Sequence, residues 1–153
     1  MGTKTIEGTR SDKVLQFSIF LPNQVGRLLD VVRMIAARNI HVLGLTILDT
    51  SDSAIARLIV DDPDGTRNIF EENEIAFTET PLLAVELPSS AVDLESVLRC
   101  LLQAECNIHY AYSFLTRPKN NAVLALHVED EEVASGVLKQ NGFRILTQKD
   151  ISR

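Results

Sequence analysis

The sequence predicts an α+β fold made of two tandem units, each with the element order βαββαβ and an antiparallel sheet. Three observations support this prediction. Short segments recur at a nearly constant spacing, strand-like alternation gives way to helical periodicity at corresponding places in both halves, and 153 residues suffice for two small domains. We place the units at residues 14–80 and 81–150, after a polar N-terminal segment of residues 1–13.

An internal repeat organises the chain. The tripeptide Asn39-Ile40-His41 recurs as Asn107-Ile108-His109, an offset of 68 residues, whereas Leu21-Pro22 recurs as Leu87-Pro88 at an offset of 66. A spacing this regular over most of a unit indicates that one structural unit has been duplicated. Other matches at the offset of 68 are Ala36 with Ala104, Val60 with Val128 and Asn73 with Asn141.

The first unit contains each predicted element in turn. Residues 14–21 alternate as in a strand, and residues 25–38 have helical periodicity with Asn23 as the expected N-cap. Strands are expected at 41–49 and 54–60, joined by a polar turn. Asp62-Pro63-Asp64 suits the start of a second helix at 66–73, and residues 75–80 form the last strand.

The second unit repeats this order. A strand at 82–87 precedes a helix that begins near Ser90, where Asp93 three residues later resembles a capping box. Strands are expected at 109–116 and 122–128, and a helix at 131–139 ends at Asn141-Gly142. A final strand is expected at 143–148. Two such units are ferredoxin-like, with helices on one face of each sheet.

The charge distribution narrows the class of partner. The chain carries 15 Lys and Arg against 21 Asp and Glu, and no two basic residues are adjacent. Nucleic acids and anionic membranes are bound through clustered basic side chains. We therefore expect no nucleic acid and no membrane as partners, which leaves a small molecule or another protein.

The expected location is cytoplasmic. Residues 1–13 have no apolar core of the kind found in secretory signals, and the sequence has no run of about 18 apolar residues. Cys100 and Cys106 are too few and too close for a disulfide framework, and we expect both to be reduced and buried.

The loop between the first strand and the first helix is the candidate site. A helix N-terminus offers backbone N–H groups and a positive dipole end to a carboxylate. Gly26 allows close approach of a ligand to the backbone, and the amide of Asn23 both donates and accepts hydrogen bonds. Alternatively, Asn23 and Gly26 only shape a strand-to-helix turn.

The element order, the Asn23-x-x-Gly26-x-Leu28 loop and the Asn39-Ile40 pair resemble the ACT domain, and the likeness covers about residues 14–150. The resemblance implies a regulatory protein that binds an amino acid, has no catalytic residues and uses no cofactor. The usual loop has Pro where this chain has Val25. By the same resemblance, ligands lie where two modules meet, and the implied binding residues are Asn23, Gln24, Val25, Gly26, Arg27, Leu28, Asn39, Ile40, Asn107 and Ile108.

The second loop, residues 88–94, departs from the family pattern. It has no Gly, and Asp93 would lie near the helix N-terminus, where it would repel a ligand carboxylate. We therefore expect the first loop to bind and the second to be structural.

Other candidate sites are weaker. His41, His109 and His127 do not have the spacing of a zinc site, the acids around Gly65 do not fit a calcium loop, and Cys106 with His109 lacks a third catalytic group. We predict no metal.

Two alternatives to an amino-acid sensor stay open. The chain is also similar to the small regulatory subunit of acetolactate synthase, which implies docking on a biosynthetic enzyme, and an enzyme on a ferredoxin-like scaffold is the third hypothesis. Because ACT modules pair side by side, the resemblance also implies a homodimer.

Overall fold

The computed structural model describes residues 13–22, 24, 26–50 and 52–152, which divide into two compact units. The first comprises Leu15–Thr80 with Ser152, and the second comprises Pro81–Ile151 with Lys13 and Val14. Lys13 belongs to the second unit because its carbonyl accepts a hydrogen bond from the N–H of Gln148 at 3.1 Å and its ammonium pairs with Glu131. No helix within the described residues is long and apolar enough to cross a membrane.

The first unit has the predicted order βαββαβ. Its strand order is β2-β3-β1-β4, and β3 pairs antiparallel with both β1 and β2. Alternate β1 residues such as Phe17 pack beneath the helices, where Phe17 meets the edge of Phe70 at 5.7 Å between ring centroids. The elements are β1 (Val14–Pro22), α1 (Arg27–Ala37), β2 (Val42–Asp49), β3 (Ser53–Val60), α2 (Pro63–Glu72) and β4 (Phe77–Leu87), of which β4 runs on into the second unit.

The second unit has the same topology, with the strand order β7-β4-β6-β5 and a separate core. It consists of the end of β4 followed by α3 (Ala91–Gln103), β5 (Ile108–Ser113), one turn of 3-10 helix (Pro118–Asn120), β6 (Ala122–Val128), α4 (Glu131–Gln140), β7 (Ile145–Leu146) and α5 (Gln148–Ile151). Cys100 and Cys106 are both free thiols in buried positions, as expected. The predicted α+β fold of two ferredoxin-like units is confirmed.

The structural repeat, however, has a different register from the one that the tripeptides predict. Val31 and Ile35 are the buried residues of α1, and their counterparts in α3 are Val97 and Leu101, an offset of 66. A β-bulge follows at the same offset, between Val42 and Gly44 in one unit and between Ile108 and Tyr110 in the other.

The offset becomes 68 only from the third strand of each unit onward. Asp62 and Asp130 cap equivalent helices, and Asn73 and Asn141 end them. The two extra residues of the second unit therefore lie in the β5–β6 connection. The predicted equivalence of Asn39-Ile40 and Asn107-Ile108 is wrong, because burial sets the register and a short polar tripeptide does not.

Two helix starts also differ from prediction. The first helix begins at Arg27 with Gly26 at the N-cap, so Asn23 is not the cap, and its own position lies outside the described residues. At α3 the side chain of Ser90 makes no cap hydrogen bond; instead the carboxylate of Asp93 accepts from the N–H of Ser89 at 2.5 Å. Ser90 has a positive φ of 46°, which is not the usual extended conformation of a capping serine.

The last predicted strand is shorter than expected. Only Ile145 and Leu146 pair with β4, and α5 follows at once. The change of structure has a local cause: the carboxylate of Asp150 accepts hydrogen bonds from the N–H and hydroxyl of Thr147 at 2.8 and 3.1 Å. This reciprocal cap favours a helical turn over continued strand.

Candidate functional site

The strand-to-helix turn of the first unit is shaped by glycine. Gly26 is the N-cap of α1 with φ of 91°, in the left-handed region that favours glycine. The N–H of Gln24 donates to the carbonyl of Pro22 at 2.7 Å, and the N–H of Arg27 donates to the carbonyl of Gln24 at 3.3 Å. Asn23 and Val25, two of the predicted binding residues, lie outside the described residues.

This turn is open to solvent. A Cβ placed on Gly26 would find no described heavy atom within 4 Å, and Gln24, Gly26 and Arg27 are all exposed. Leu28 is half-buried and packs against the core of the unit. The helix therefore begins with backbone that a ligand can approach and with a guanidinium group beside it.

The corresponding turn of the second unit has no cation. The first turn of α1 contains Arg27 at its start and Asp30 at its end, whereas the first turn of α3 contains the acid Asp93 and no basic residue. At the offset of 66, Asp93 occupies the position of Arg27, in the first turn of its helix. Its carboxylate already accepts the N–H of Ser89, so an internal anion lies where a helix N-terminus would otherwise attract a ligand anion. The two turns are thus equivalent in fold and different in chemistry.

The other predicted binding residues lie at the starts of second strands. Asn39 is exposed with φ of 58°, whereas Ile40 is 3% exposed and belongs to the first core. Asn107 is exposed and donates from Nδ2 to Glu129 Oε2 at 3.0 Å, and Ile108 is half-buried against the second core. Ile40 is therefore not accessible to a ligand, and it can affect a site only by supporting the exposed residues around it.

Sequence reasoning missed a polar pair at the base of the first hairpin. The N–H and Nδ1 of His41 contact the two carboxylate oxygens of Asp61 at 2.8 and 2.7 Å, and Asp61 is 5% exposed. Asn107 and Glu129 take the same positions in the second unit. The sequence could have predicted this pair, since His41 precedes the second strand and Asp61 follows the third, and these two strand ends are neighbours in a hairpin. The pair holds β2 and β3 together.

The histidines do not assemble a metal centre in the part of the chain that the structure describes. His109 and His127 approach each other, with ring centroids 5.1 Å apart, and His109 lies at the bulge between Ile108 and Tyr110. His41 is instead engaged with Asp61.

Sequence reasoning also missed a pocket of about 520 Å³ in the second unit. It lies between α3 and the segment that leads into β7, and no single motif marks it. Its lining residues are Glu86, Pro88, Ser89, Asp93, Ser96, Arg99, Cys100, Gln103, Asn141, Gly142, Phe143 and Arg144.

Two tandem βαββαβ units, each with an antiparallel sheet, define a pair of ferredoxin-like modules. The family model of the ACT domain pair matches residues 12–153, and the chain belongs to this family. The predicted resemblance is confirmed.

Solved structures agree. The crystal structure of protein BT0572 from Bacteroides thetaiotaomicron is 30% identical, with a TM-score of 0.84, and the match covers 94% of this chain and 99% of that one. The ligand-free regulatory subunit of aspartate kinase from Thermus thermophilus is 17% identical, with a TM-score of 0.57 and coverages of 83% and 89%. The corresponding subunit from Thermus flavus is 18% identical, with a TM-score of 0.53 and coverages of 84% and 92%. The comparison with curated proteins gave no match.

Proposed function

We propose that this protein is a non-catalytic, cytoplasmic regulator that binds an amino acid at the N-terminus of α1. The observation that carries the proposal is the charge difference at one equivalent position, Arg27 in the first unit and Asp93 in the second. Asp30, the acid of the α1 first turn, lies three residues further along the helix than Arg27. A free α-carboxylate would receive the helix dipole, backbone N–H groups and a guanidinium group at the first turn. At the second turn it would meet a carboxylate.

Membership of the ACT pair family supports the regulatory role. Two of the similar structures are regulatory subunits of aspartate kinase. A regulator of this kind works when its ligand binds one arrangement of the modules better than another, because only that difference shifts their equilibrium. Asn39 and Asn107 are exposed amides, and we propose that they also contact the ligand.

The test is a calorimetric and thermal-shift screen of the full chain against the twenty amino acids. We expect one amino acid or a related few to bind, and to raise the apparent stability by about 2.7 kcal/mol at a hundredfold excess over Kd. Arg27→Asp should weaken that binding by about tenfold or more, because it loses a charge-assisted hydrogen bond and adds repulsion. Gly26→Val should abolish it.

Asp93→Asn in the second unit is the matched control and should leave the affinity unchanged. Equal binding by wild type and Arg27→Asp would refute the site, and equal loss in Asp93→Asn would assign binding to the second turn. Absence of any ligand would favour the alternative of a regulatory subunit that docks on a biosynthetic enzyme such as acetolactate synthase.

The proposed functional form is a homodimer. Val92, Leu98 and Leu102 on α3 are 69%, 43% and 77% exposed, which is unusual for one helix of a small unit. Two antiparallel copies of α3 would bury these apolar side chains against each other, in the self-complementary contact that a twofold axis requires.

A further inference from the structure

The pocket of the second unit is polar and carries two cations. Arg99 lies on α3 and Arg144 lies on the segment before β7, so the guanidinium groups enter the lining from two separate elements. Arg99 pairs with Glu95 at 3.2 Å and Arg144 with Asp150 at 3.6 Å. Both arginines are about half exposed, so these pairs are weak, and each group keeps further N–H donors for a ligand.

The acids of the lining do not offer the same freedom. The carboxylate of Asp93 already accepts the N–H of Ser89 at the start of α3, where the helix dipole offsets its charge. The side chain of Glu86 is buried, and its Oε2 atom has no hydrogen-bond partner among the described residues, so it can accept from a donor on the polar body of a ligand but does not suit the anionic group. The charged groups that a ligand can reach most directly are therefore the two guanidinium groups.

The first unit supplies an internal comparison, because it has the same fold and different residues here. On the helix, Met34 and Ala37 stand where the second unit has Cys100 and Gln103. Met34 packs against the first core, whereas the shorter Cys100 leaves room beside the lining. Compared with the first unit, the helix of the second unit thus has a shorter side chain at the core-facing position, Cys100, and a longer polar side chain at Gln103.

The segment that leads into the last strand also differs between the two units. Glu74 and Ala76 in the first unit correspond to Gly142 and Arg144 in the second. Glu74 and Gly142 share a left-handed conformation, with φ of 54° and 86°. The second unit has therefore lost an acidic side chain and gained a cation at the edge of the pocket.

We propose that this pocket is a second ligand site, separate from the turn at α1, and that it takes a small anionic metabolite bearing a carboxylate or a phosphate. Arg99 and Arg144 bind the anionic group from two sides. Ser96, Gln103 and Asn141 line the remaining wall. The Ser96 hydroxyl and Asn141 Nδ2 donate to helix carbonyls, so these two residues offer acceptor oxygens to the polar body of the ligand, and the Gln103 amide offers both a donor and an acceptor. The volume of about 520 Å³ suits a molecule of this size.

The experiment titrates the full chain by calorimetry with succinate and, separately, with inorganic phosphate. Neither probe is an amino acid, so failure here is distinct from failure of the site at α1. Saturable binding of at least one probe is expected, and the one that binds identifies the anionic group. Arg144→Ala and Arg99→Ala should each weaken it by about tenfold or more.

Cys100→Met, which places in the pocket the side chain found at the same helix position of the first unit, should also weaken binding. Arg33→Ala, the counterpart of Arg99→Ala in the first unit, is the matched control and should bind normally. Circular dichroism confirms that each variant is folded. Lack of binding by both probes, or affinity unchanged in both arginine variants of the pocket, overturns the proposal.

Discussion

At the scale of single residues, two glycines of this chain lie in equally open surroundings and differ in backbone conformation. A Cβ added to Gly26 or to Gly136 would meet no described heavy atom within 4 Å. Gly26 has φ of 91°, whereas Gly136 lies inside α4 without a positive φ. Space alone would make the two substitutions equivalent, so any difference between them measures backbone strain.

We predict that Gly26→Ala lowers the free energy of unfolding by about 1–2 kcal/mol, the cost of a left-handed conformation for a residue with a Cβ. Gly136→Ala should raise it by about 0.5–1 kcal/mol, because alanine is the better helix former. Urea denaturation of both variants checks the pair. Stabilisation by both substitutions would show that the turn at Gly26 relaxes to an ordinary conformation.

At the scale of elements, the parts of the fold that depend on local patterns could be predicted from the sequence. Asp62 and Asp130 do cap their helices, accepting from the N–H groups of Gly65 and Val133, because a cap requires only residues three apart. The strands of both cores follow from alternation of apolar residues. The element order was predicted correctly for the same reason.

The register of the repeat could not be predicted in this way. Asn-Ile-His occurs twice, but His41 and Asn107 are the structurally equivalent residues, each accepting at its carbonyl from the residue after the third strand. Packing of Val31 and Val97 fixes the helices before the strands begin. A correct register was needed to see that Arg27 and Asp93 are counterparts, so the charge contrast of the two turns also escaped sequence reasoning.

The end of the last strand is set by one carboxylate. The backbone N–H of Thr147 holds the pKa of Asp150 below its ordinary value, assisted by the Thr147 hydroxyl, Lys119 and Arg144 and opposed by partial burial. A carboxylate with a lowered pKa in the folded state stabilises the fold above its ordinary pKa. That contribution disappears as the pH falls through the lowered value.

We therefore predict that Asp150→Asn reduces the stability at neutral pH and flattens the loss of stability below about pH 4. Denaturation of both proteins across the acid range measures the difference in slope. Asp64→Asn, at a 91% exposed side chain that pairs only at the surface, is the control and should follow the wild type. Parallel acid profiles for Asp150→Asn and wild type would contradict the role of this cap.

At the scale of the whole molecule, duplication has produced two units with the same core and different surfaces. The pocket beside Arg99 and Arg144 illustrates why such surfaces are hard to predict. Its lining comes from three separated segments of one unit and includes the short side chain of Cys100 and Gly142, which has no side chain. Hydrophobic periodicity predicts where the helix lies, but it does not predict which polar residues of α3 lie opposite those of the segment before β7.

The exposed face of α3 carries the remaining prediction, which concerns assembly. Val92, Leu98 and Leu102 would leave an apolar stripe in water on an isolated chain, and a twofold contact between two copies of α3 removes it. We expect light scattering coupled to size-exclusion chromatography to give the mass of a dimer for the wild type. Leu98→Glu and Leu102→Glu should each shift the protein toward monomer, because a carboxylate would be buried without a partner.

Leu115→Glu is the matched control, since Leu115 is 65% exposed and lies in the β5–β6 connection, away from this helix in sequence. It is the same substitution at another exposed leucine and changes the charge by the same amount, so a dimer that survives it and dissociates in Leu98→Glu has its contact at α3. Dissociation by Leu115→Glu alone would move the contact to that connection. A dimer that resists the substitutions on α3 would leave the stripe for another protein, as the docking alternative requires.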